Sequence, residues 1–462
     1  MTMRLKNELY PHQKDAVKKL IGLKVGALFA EQGTGKTITV LEMARLRLES
    51  GKIDIVIWLC PCSAKTNIKN EILKQCPNEM IHAFTICGIE TLSTSIRALS
   101  HLLSLARENK CFLVIDESLL VKNPWAYRTE HILMLAEKCK YRIILNGTPV
   151  SRNEADLYSQ FYLLDWRILG YKSYWSFSAN HLEYDDYGKL RKVLNTDYLS
   201  KKIAPYTFQI TKKECAKLPP KYYYACSFSL TAEQDEEYSY AAYRLMDEIN
   251  EWKPATIYRL FSGLQAVLSG KRLVFNRSGS HFETVEMFSD PMDNPRIQKL
   301  MKVIEDEKTI IFCKYESEIS QLCGLLDGAV RFDGKVPQRN RAEALHEFAG
   351  DKKYLVANRN CAGFSLNLQF CHNIIYLSND WDLGKRLQSE DRVHRIGQEH
   401  DVYITDIYAE NTLDEQIMHC LSKKEWLLDQ LKKDISDATS IKETLKKYIY
   451  GSRDRNVESI YE

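Results

Sequence analysis

The chain has 462 residues, 45% of them hydrophobic and 27% charged, the composition of an ordinary globular protein long enough to bury full cores in two or three units. Its 64 basic against 61 acidic side chains exclude a histone-like polycation, although a basic groove can sit on a nearly neutral surface. Thirteen scattered cysteines with no CxxC pair exclude a disulfide framework and a zinc ribbon, and no apolar run approaches the ~18 residues that would cross a membrane.

Short apolar runs alternate with helical stretches, which predicts a parallel α/β sheet. In the first half the runs are Gly26–Ala30, Ile53–Cys60, Cys111–Ile115 and Arg142–Leu145, with helical patterns at Thr37–Glu49 and Ser95–Glu108. The stretch from Glu154 to Asn294 is richer in Tyr, Trp, Lys and Glu. Its clearest segments, Ala232–Glu251 and Thr256–Leu268, are helical, Lys221–Tyr224 begins a strand-like alternation, and Lys271–Pro295 reads as loop or hairpin. The second half repeats the strand pattern at Thr309–Cys313, Tyr354–Ala357, Asn373–Leu377 and Val402–Ile407. Helices follow from Thr412, and Gly451 onward is expected to fray. The predicted domains are a first α/β lobe over 1–205, a mostly helical insert and linker over 206–294, a second lobe over 295–435 and a helical tail over 436–462.

Ala30-Glu31-Gln32-Gly33-Thr34-Gly35-Lys36-Thr37 follows an apolar strand and opens a helix, the setting of a phosphate-binding loop. Gly33, Thr34 and Gly35 let backbone N–H groups turn inward, and the helix N-terminus adds positive potential. Lys36 is expected on the β- and γ-phosphates of ATP, and Thr37 on Mg²⁺. The apolar run Cys111–Ile115 then ends in Asp116-Glu117. Asp116 is expected to hold Mg²⁺ through water, and Glu117 to polarise the attacking water. Gly147-Thr148-Pro149 at the next strand end reads, by itself, as a plain turn.

With these residues in order, the chain resembles the Swi/Snf remodeller family of superfamily II helicase-like ATPases. Leu9-Tyr10-Pro11-His12-Gln13 resembles its glutamine motif, which implies an adenine contact for Gln13. Cys60-Pro61-Cys62 through Asn67 resembles motif Ia, beside DNA phosphates. Asp116-Glu117-Ser118 with Lys122-Asn123 resembles motif II, and Gly147-Thr148-Pro149 with Asn153 motif III. Leu218-Pro219-Pro220-Lys221, with Thr231 and Gln234, resembles the segment leading out of the first lobe. Ile310–Lys314 resembles motif IV, Cys361–Leu368 motif V and Asn379-Asp380-Trp381-Asp382 the acidic-tryptophan stretch. Gln388, Arg392, Arg395, Ile396, Gly397 and Gln398 fit motif VI closely. The resemblance implies two RecA-like parallel-sheet lobes. It also implies that Gln388 contacts nucleotide and that Arg392 and Arg395, spaced i, i+3 on a helical pattern, act as arginine fingers.

The implied activity is a DNA-dependent ATP hydrolase that moves along or remodels duplex DNA, in the cytoplasm of a prokaryotic or phage-infected cell. The alternatives are a strand-separating or annealing helicase of the same superfamily acting on forks or RNA, with branched or single-stranded DNA as a further partner, and a nucleotide-gated DNA-binding protein with weak hydrolysis. Several positions depart from the family. Leu119 stands where relatives usually carry His, so coupling to DNA is expected to pass through Gln388, Thr148 or Arg142 instead. Ser365 replaces a usual Gly, and Gln209 and Ile210 replace a pair of arginines. Lys65 and Asn67 are candidate DNA contacts, with Lys69 and Lys74 behind them. Trp166, Tyr171, Tyr174 and Trp175 are expected to pack a core rather than to stack on bases. His394 is expected to pack or cap.

Overall fold

The computed structural model describes residues 3–147, 154–184, 190–215, 218–247, 249–276, 281–358, 368–423, 427–436 and 440–450. The chain forms two compact units, Met1–Leu218 and Pro219–Gly363 with Asn367–Glu462. Among the described residues no helix is long and apolar enough to cross a membrane.

The first unit contains strands β1 (Val25–Ala30), β2 (Ile55–Cys60), β3 (Phe84–Gly88), β4 (Cys111–Asp116), β5 (Tyr141–Asn146), the small hairpin β6 (Leu182–Tyr184) and β7 (Leu190–Val193), and β8 (Thr207–Ile210). Six of them form one parallel sheet in the order β3-β2-β4-β5-β1-β8. Side chains alternate between its faces, so each central strand feeds two cores. Phe29, Ile57, Leu59, Leu113, Ile115 and Ile144 enter one core, whereas Leu28, Val56, Trp58, Phe112, Val114 and Leu145 enter the other. Burial on both faces is why these strands read as unbroken apolar runs. Arg47 is a charged side chain buried against this sheet. Its guanidinium lies 4.3 Å from the Phe112 ring centroid and 4.7 Å from that of Tyr141, it donates to the Leu23 carbonyl at 2.9 Å, and burial lowers its pKa to about 10.

The second unit contains β9 (Lys221–Phe228), the hairpin β10 (Lys271–Phe275) and β11 (Phe282–Glu286), and then β12 (Thr309–Cys313), β13 (Ala329–Phe332), β14 (Tyr354–Asn358), β15 (Asn373–Tyr376) and β16 (Val402–Ala409). Its parallel sheet runs β13-β14-β12-β15-β16-β9. The expectation of two parallel-sheet lobes is met. Residues 206–294 supply an edge strand to each sheet, β8 to the first and β9 to the second. Between them the helices Ala232–Asp247 and Pro254–Leu268 join the second core. The helices Leu427–Ser436 and Ile441–Tyr450 join it too, with the Tyr238 hydroxyl donating to the Ile449 carbonyl at 2.8 Å. The expected fraying from Gly451 lies outside the described residues.

Arg296 ties this unit together from inside the core. It is 1% exposed, donates to the carbonyls of Leu268 at 3.0 Å and Leu377 at 2.6 Å, and meets the Asp414 carboxylate at 2.5 Å. One side chain thus joins a helix end, a strand end and the start of the helix Leu413–Ser422. Breaking a buried pair from one side strands the other charge, so Arg296→Met is expected to cost about 3–5 kcal/mol. The check is the second unit's urea transition. A midpoint equal to wild type would show that Arg296 is not the tie.

Candidate nucleotide-binding site

In the first unit the chemical residues gather where the strands end. β1 stops at Ala30 and the loop 31–35 leads into the helix Lys36–Glu49. Gly33 and Gly35 have φ of +84° and +87°, in the left-handed region that glycine adopts without strain. A Cβ at Gly35 would stand 2.1 Å from Gln13 Nε2, so the amide that braces the loop would have to shift. Having no side chain, Gly35 cannot cap the helix, so the first-turn N–H groups stay available to an anion. Lys36 Nζ donates to the Ala30 carbonyl at 2.8 Å, which folds its ammonium back over the loop.

The loop is braced from two sides. Gln13 Nε2 donates to the Thr34 carbonyl at 3.0 Å, His12 Nε2 lies 2.8 Å from the same oxygen, and Gln13 Oε1 accepts from the Tyr10 N–H at 2.9 Å. On the other side Glu31 N donates to the Ile210 carbonyl, and the Glu31 carboxylate accepts from Lys212 N at 2.8 Å. The departure at Gln209 and Ile210 therefore falls on β8, the strand paired with β1. Gln209 is exposed there, and the backbone of Ile210 holds the loop.

Only β5 separates β1 from β4. At ~4.8 Å per strand, the ends of β1 and β4 stand about 10 Å apart. Asp116 closes β4, with Glu117 N donating to its Oδ1 at 3.1 Å. Glu117 adopts φ 55° and ψ 55°, a conformation that costs a non-glycine residue energy and clusters at functional sites. Burial and the adjoining Glu117 carboxylate push the Asp116 carboxyl well above the usual carboxylate range, and Lys36 pulls it partly back. That environment favours a cation beside Asp116. The Asp116 carboxylate and the Thr37 hydroxyl are oxygen donors of the kind Mg²⁺ takes, so these residue types fit the ion.

Two residues behind the acid pair escaped the sequence reading. Gln160 Oε1 accepts from the buried Ser118 hydroxyl at 2.6 Å, and Asp156 lies 3.4 Å from Lys122. Both lie in the segment Glu154–Asp165, whose aromatic and polar composition carries no motif signal. Arg142 is not a neighbour of Leu119, against expectation. It pairs with Val25 at the opening of β5, ~13 Å of strand from the end that carries the chemistry. Its guanidinium donates to the Ala136 carbonyl instead. Thr148, Pro149 and Asn153 lie outside the described residues, as do Cys361–Asn367 with Ser365.

The aromatic group divides. Tyr171 and Tyr174 pack against Phe177 and the core, as expected. Trp175 is 71% exposed and, with Trp125, Tyr174 and Tyr184, lines an open aromatic cleft, so core packing does not describe it. Lys65, Lys69 and Lys74 are exposed on the helix Lys65–Gln75, which starts just past the end of β2, and Asn67 is half-buried there.

In the second unit Gln388 is half-buried on the helix Leu383–Glu390. That helix ends before Arg392 and Arg395, contrary to the continuous helical pattern read from the sequence. Tight turns replace it: Arg392 N donates to the Ser389 carbonyl, Val393 N and His394 N to that of Glu390, and Gln398 N to that of Arg395. Val393 is fully buried, and Gly397 with φ +99° completes the turn. His394 Nε2 lies 2.8 Å from the Pro219 carbonyl, the capping role expected of it.

Sequence profiles agree with this arrangement. The profile of the SNF2-related domain matches residues 12–272, more than half of the chain, and that of the helicase conserved C-terminal domain matches 295–397. The TATA-binding protein-associated factor Mot1 of Aspergillus fumigatus is 24% identical over 504 residues, which cover 90% of this chain and 26% of that protein. The chain thus spans about a quarter of that relative's length. The DNA annealing helicase and endonuclease ZRANB3 of Bos taurus is 24% identical, with 91% of this chain and 40% of that protein covered. The ATP-dependent helicase YqhH of Bacillus subtilis is 22% identical, with 92% and 80% covered. Among solved structures, the Sulfolobus solfataricus SWI2/SNF2 ATPase core in complex with dsDNA aligns over 98% of both chains at 20% identity, with a TM-score of 0.43.

Gly35→Ala tests the loop geometry. The added methyl collides with Gln13 and forces a left-handed alanine, at a cost of about 1–3 kcal/mol. Affinity for a fluorescent ATP analogue is expected to fall at least ~10-fold. Unchanged affinity would show that nucleotide does not rest on this loop.

Proposed function

Because the chain belongs to the SNF2-related family, whose members hydrolyse ATP, we propose that it is a DNA-dependent ATPase that turns hydrolysis into movement along, or remodelling of, duplex DNA. The observation that carries this reading is the gathering of the glycine loop, Lys36 and the Asp116-Glu117 pair at one edge of the first sheet.

The residues take roles that follow from their chemistry. Gly33, Thr34 and Gly35 present backbone donors to the phosphates, and Gln13 contacts adenine while bracing the loop. Lys36 leaves the Ala30 carbonyl for the β- and γ-phosphates, exchanging a neutral acceptor for a charged one. Thr37 and Asp116 hold Mg²⁺, which when bound neutralises phosphate charge. Glu117 orients the attacking water and accepts its proton. Gln388 contacts nucleotide, and Arg392 and Arg395 balance charge that builds on the γ-phosphate. Exposed Lys65 and Lys69, one turn apart on the same helix face, support contact with DNA phosphates, with Lys74 further along the helix. Leu119 has no polar atom, and the Ser118–Gln160 pair beside it is the nearest hydrogen-bonded link from the acid pair into the helix Leu157–Asp165.

Steady-state ATPase across a duplex DNA titration at fixed low salt tests the proposal. DNA is expected to raise the native rate at least ~10-fold, or ~1.4 kcal/mol of activation free energy. A rate indifferent to DNA would contradict it. Under the same conditions Lys36→Ala should abolish turnover, and Glu117→Gln should keep ATP binding while stalling hydrolysis. Full turnover in Lys36→Ala would remove the loop from the chemistry. Normal turnover per bound ATP in Glu117→Gln would give that carboxylate another role. Arg392→Ala and Arg395→Ala should bind ATP almost normally but turn over ~10³-fold more slowly. Near-normal rates in both would leave the second unit without a part in hydrolysis. A triplex-displacement assay beside strand displacement separates translocation from unwinding, and the proposal expects only the first.

A further inference from the structure

The turn that carries Arg392 and Arg395 is held by a buried group of charges two residues before it. Arg386, 4% exposed on the helix Leu383–Glu390, donates Nε to Glu390 Oε1 at 2.8 Å, Nη1 to Asn379 Oδ1 at 2.8 Å and Nη2 to Asp406 Oδ2 at 2.9 Å. Its guanidinium lies 3.6 Å from the centroid of the Tyr376 ring, whose hydroxyl is 2.5 Å from Ser389 Oγ. The other Glu390 oxygen accepts from Lys221 Nζ at 2.7 Å and from the Tyr223 hydroxyl at 2.9 Å. Arg386 and Lys221 thereby balance Glu390 and Asp406.

A buried ion network of this kind is seldom the most stabilising filling for a core, since apolar residues of equal volume often do as well. What it adds is direction, because charge-assisted hydrogen bonds fix orientation as packing does not. Here the direction is given to one backbone group. The Glu390 carbonyl accepts from Val393 N and His394 N, so the clamped residue is also the one on which the arginine turn is built. The outer half of the clamp, Lys221 and Tyr223, lies on β9, just past Pro219, the first residue of the second unit. The Pro219 carbonyl meets the His394 ring, so the same short stretch grips the turn at both Glu390 and His394.

We propose that Lys221 and Tyr223 are positioning residues that act through Glu390 to set the turn bearing Arg392 and Arg395. The proposal rests on the reading that these arginines serve hydrolysis. Both positioning residues lie at the rim, the Lys221 side chain 20% and Tyr223 56% exposed, so their truncation leaves the core in place.

The test is DNA-stimulated ATPase of the full chain carrying Lys221→Met with Tyr223→Phe, alone and combined with Arg392→Ala. Loss of positioning should lower kcat ~10-fold with KM for ATP within ~2-fold, because an interaction felt in the transition state is weakened and ground-state binding is not. In the Arg392→Ala background the pair should cause a smaller fall, carried by Arg395 alone, since residues acting through one group are not additive. Lys221→Arg, which keeps the charge at the carboxylate, should restore kcat to within ~2-fold of wild type. Tyr223→Phe alone removes one hydrogen bond without changing charge. It should lower kcat ~3-fold, again by less when Arg392 is absent, and it serves if the double change unfolds the chain. An unaltered kcat, or the same fall superimposed on Arg392→Ala, overturns the proposal. Wild-type speed in Arg392→Ala alone overturns the role of the arginine, whereas a slow Arg392→Ala beside a fast double variant overturns the positioning alone.

Discussion

Two adjacent carboxylates at the end of a strand sealed on both faces set the terms for the first unit. Asp116 and Glu117 follow Ile115, and the residues of β4 before them are buried. Burial and mutual repulsion disfavour both being charged at once, and the lifted pKa of Asp116 records that tension. Lys36 relieves it in part, and a divalent cation carrying phosphates would relieve it further. The left-handed backbone of Glu117 is a second cost borne at the same place. Strain at Glu117 and the charge tension at Asp116 fall on adjacent residues, as expected when structure is spent on chemistry rather than stability.

The sheet makes this arrangement possible. In a parallel sheet all strands end on one side, so a loop after β1 and an acid pair after β4 meet there without a special device. The remaining need is a stiff phosphate loop. Gln13 and His12 hold it from the opening helix, and the segment after β8 holds it through Glu31. β8 is thus more than an edge strand, since its final carbonyl and the N–H of Lys212 close one flank of the loop.

What the sequence disclosed follows from burial. β1, β2, β4 and β12 are covered on both faces and read as apolar runs within a residue or two of their observed limits. β3, β8 and β13 lie at or beside sheet edges, with half-buried residues among them, and have no such signature. The loop and the acid pair were legible because their chemistry demands residue types at fixed spacing. Gln160, Asp156 and Trp125 were not, because their partners lie far along the chain or are surface aromatics with no motif. The end of the helix at Glu390 was hidden for another reason. No glycine or proline interrupts Ser389–Arg395, and Glu390 at the break is anchored by Lys221 from far along the chain as well as by its helix neighbour Arg386. Local pattern carries no trace of an ion pair to a strand more than a hundred residues earlier.

The two units answer opposite electrostatic problems. The first concentrates negative charge where a cation would be favoured, and the second balances its buried charges internally beside the arginine turn. The demand for a cation at Asp116 is the part on which the rest stands. It is tested most directly by measuring ATP affinity with and without Mg²⁺, for the native chain and for Asp116→Asn. The account predicts that Mg²⁺ tightens binding by at least ~10-fold in the native chain and by less than ~2-fold in the variant. Equal tightening in both would show that Asp116 does not hold the ion.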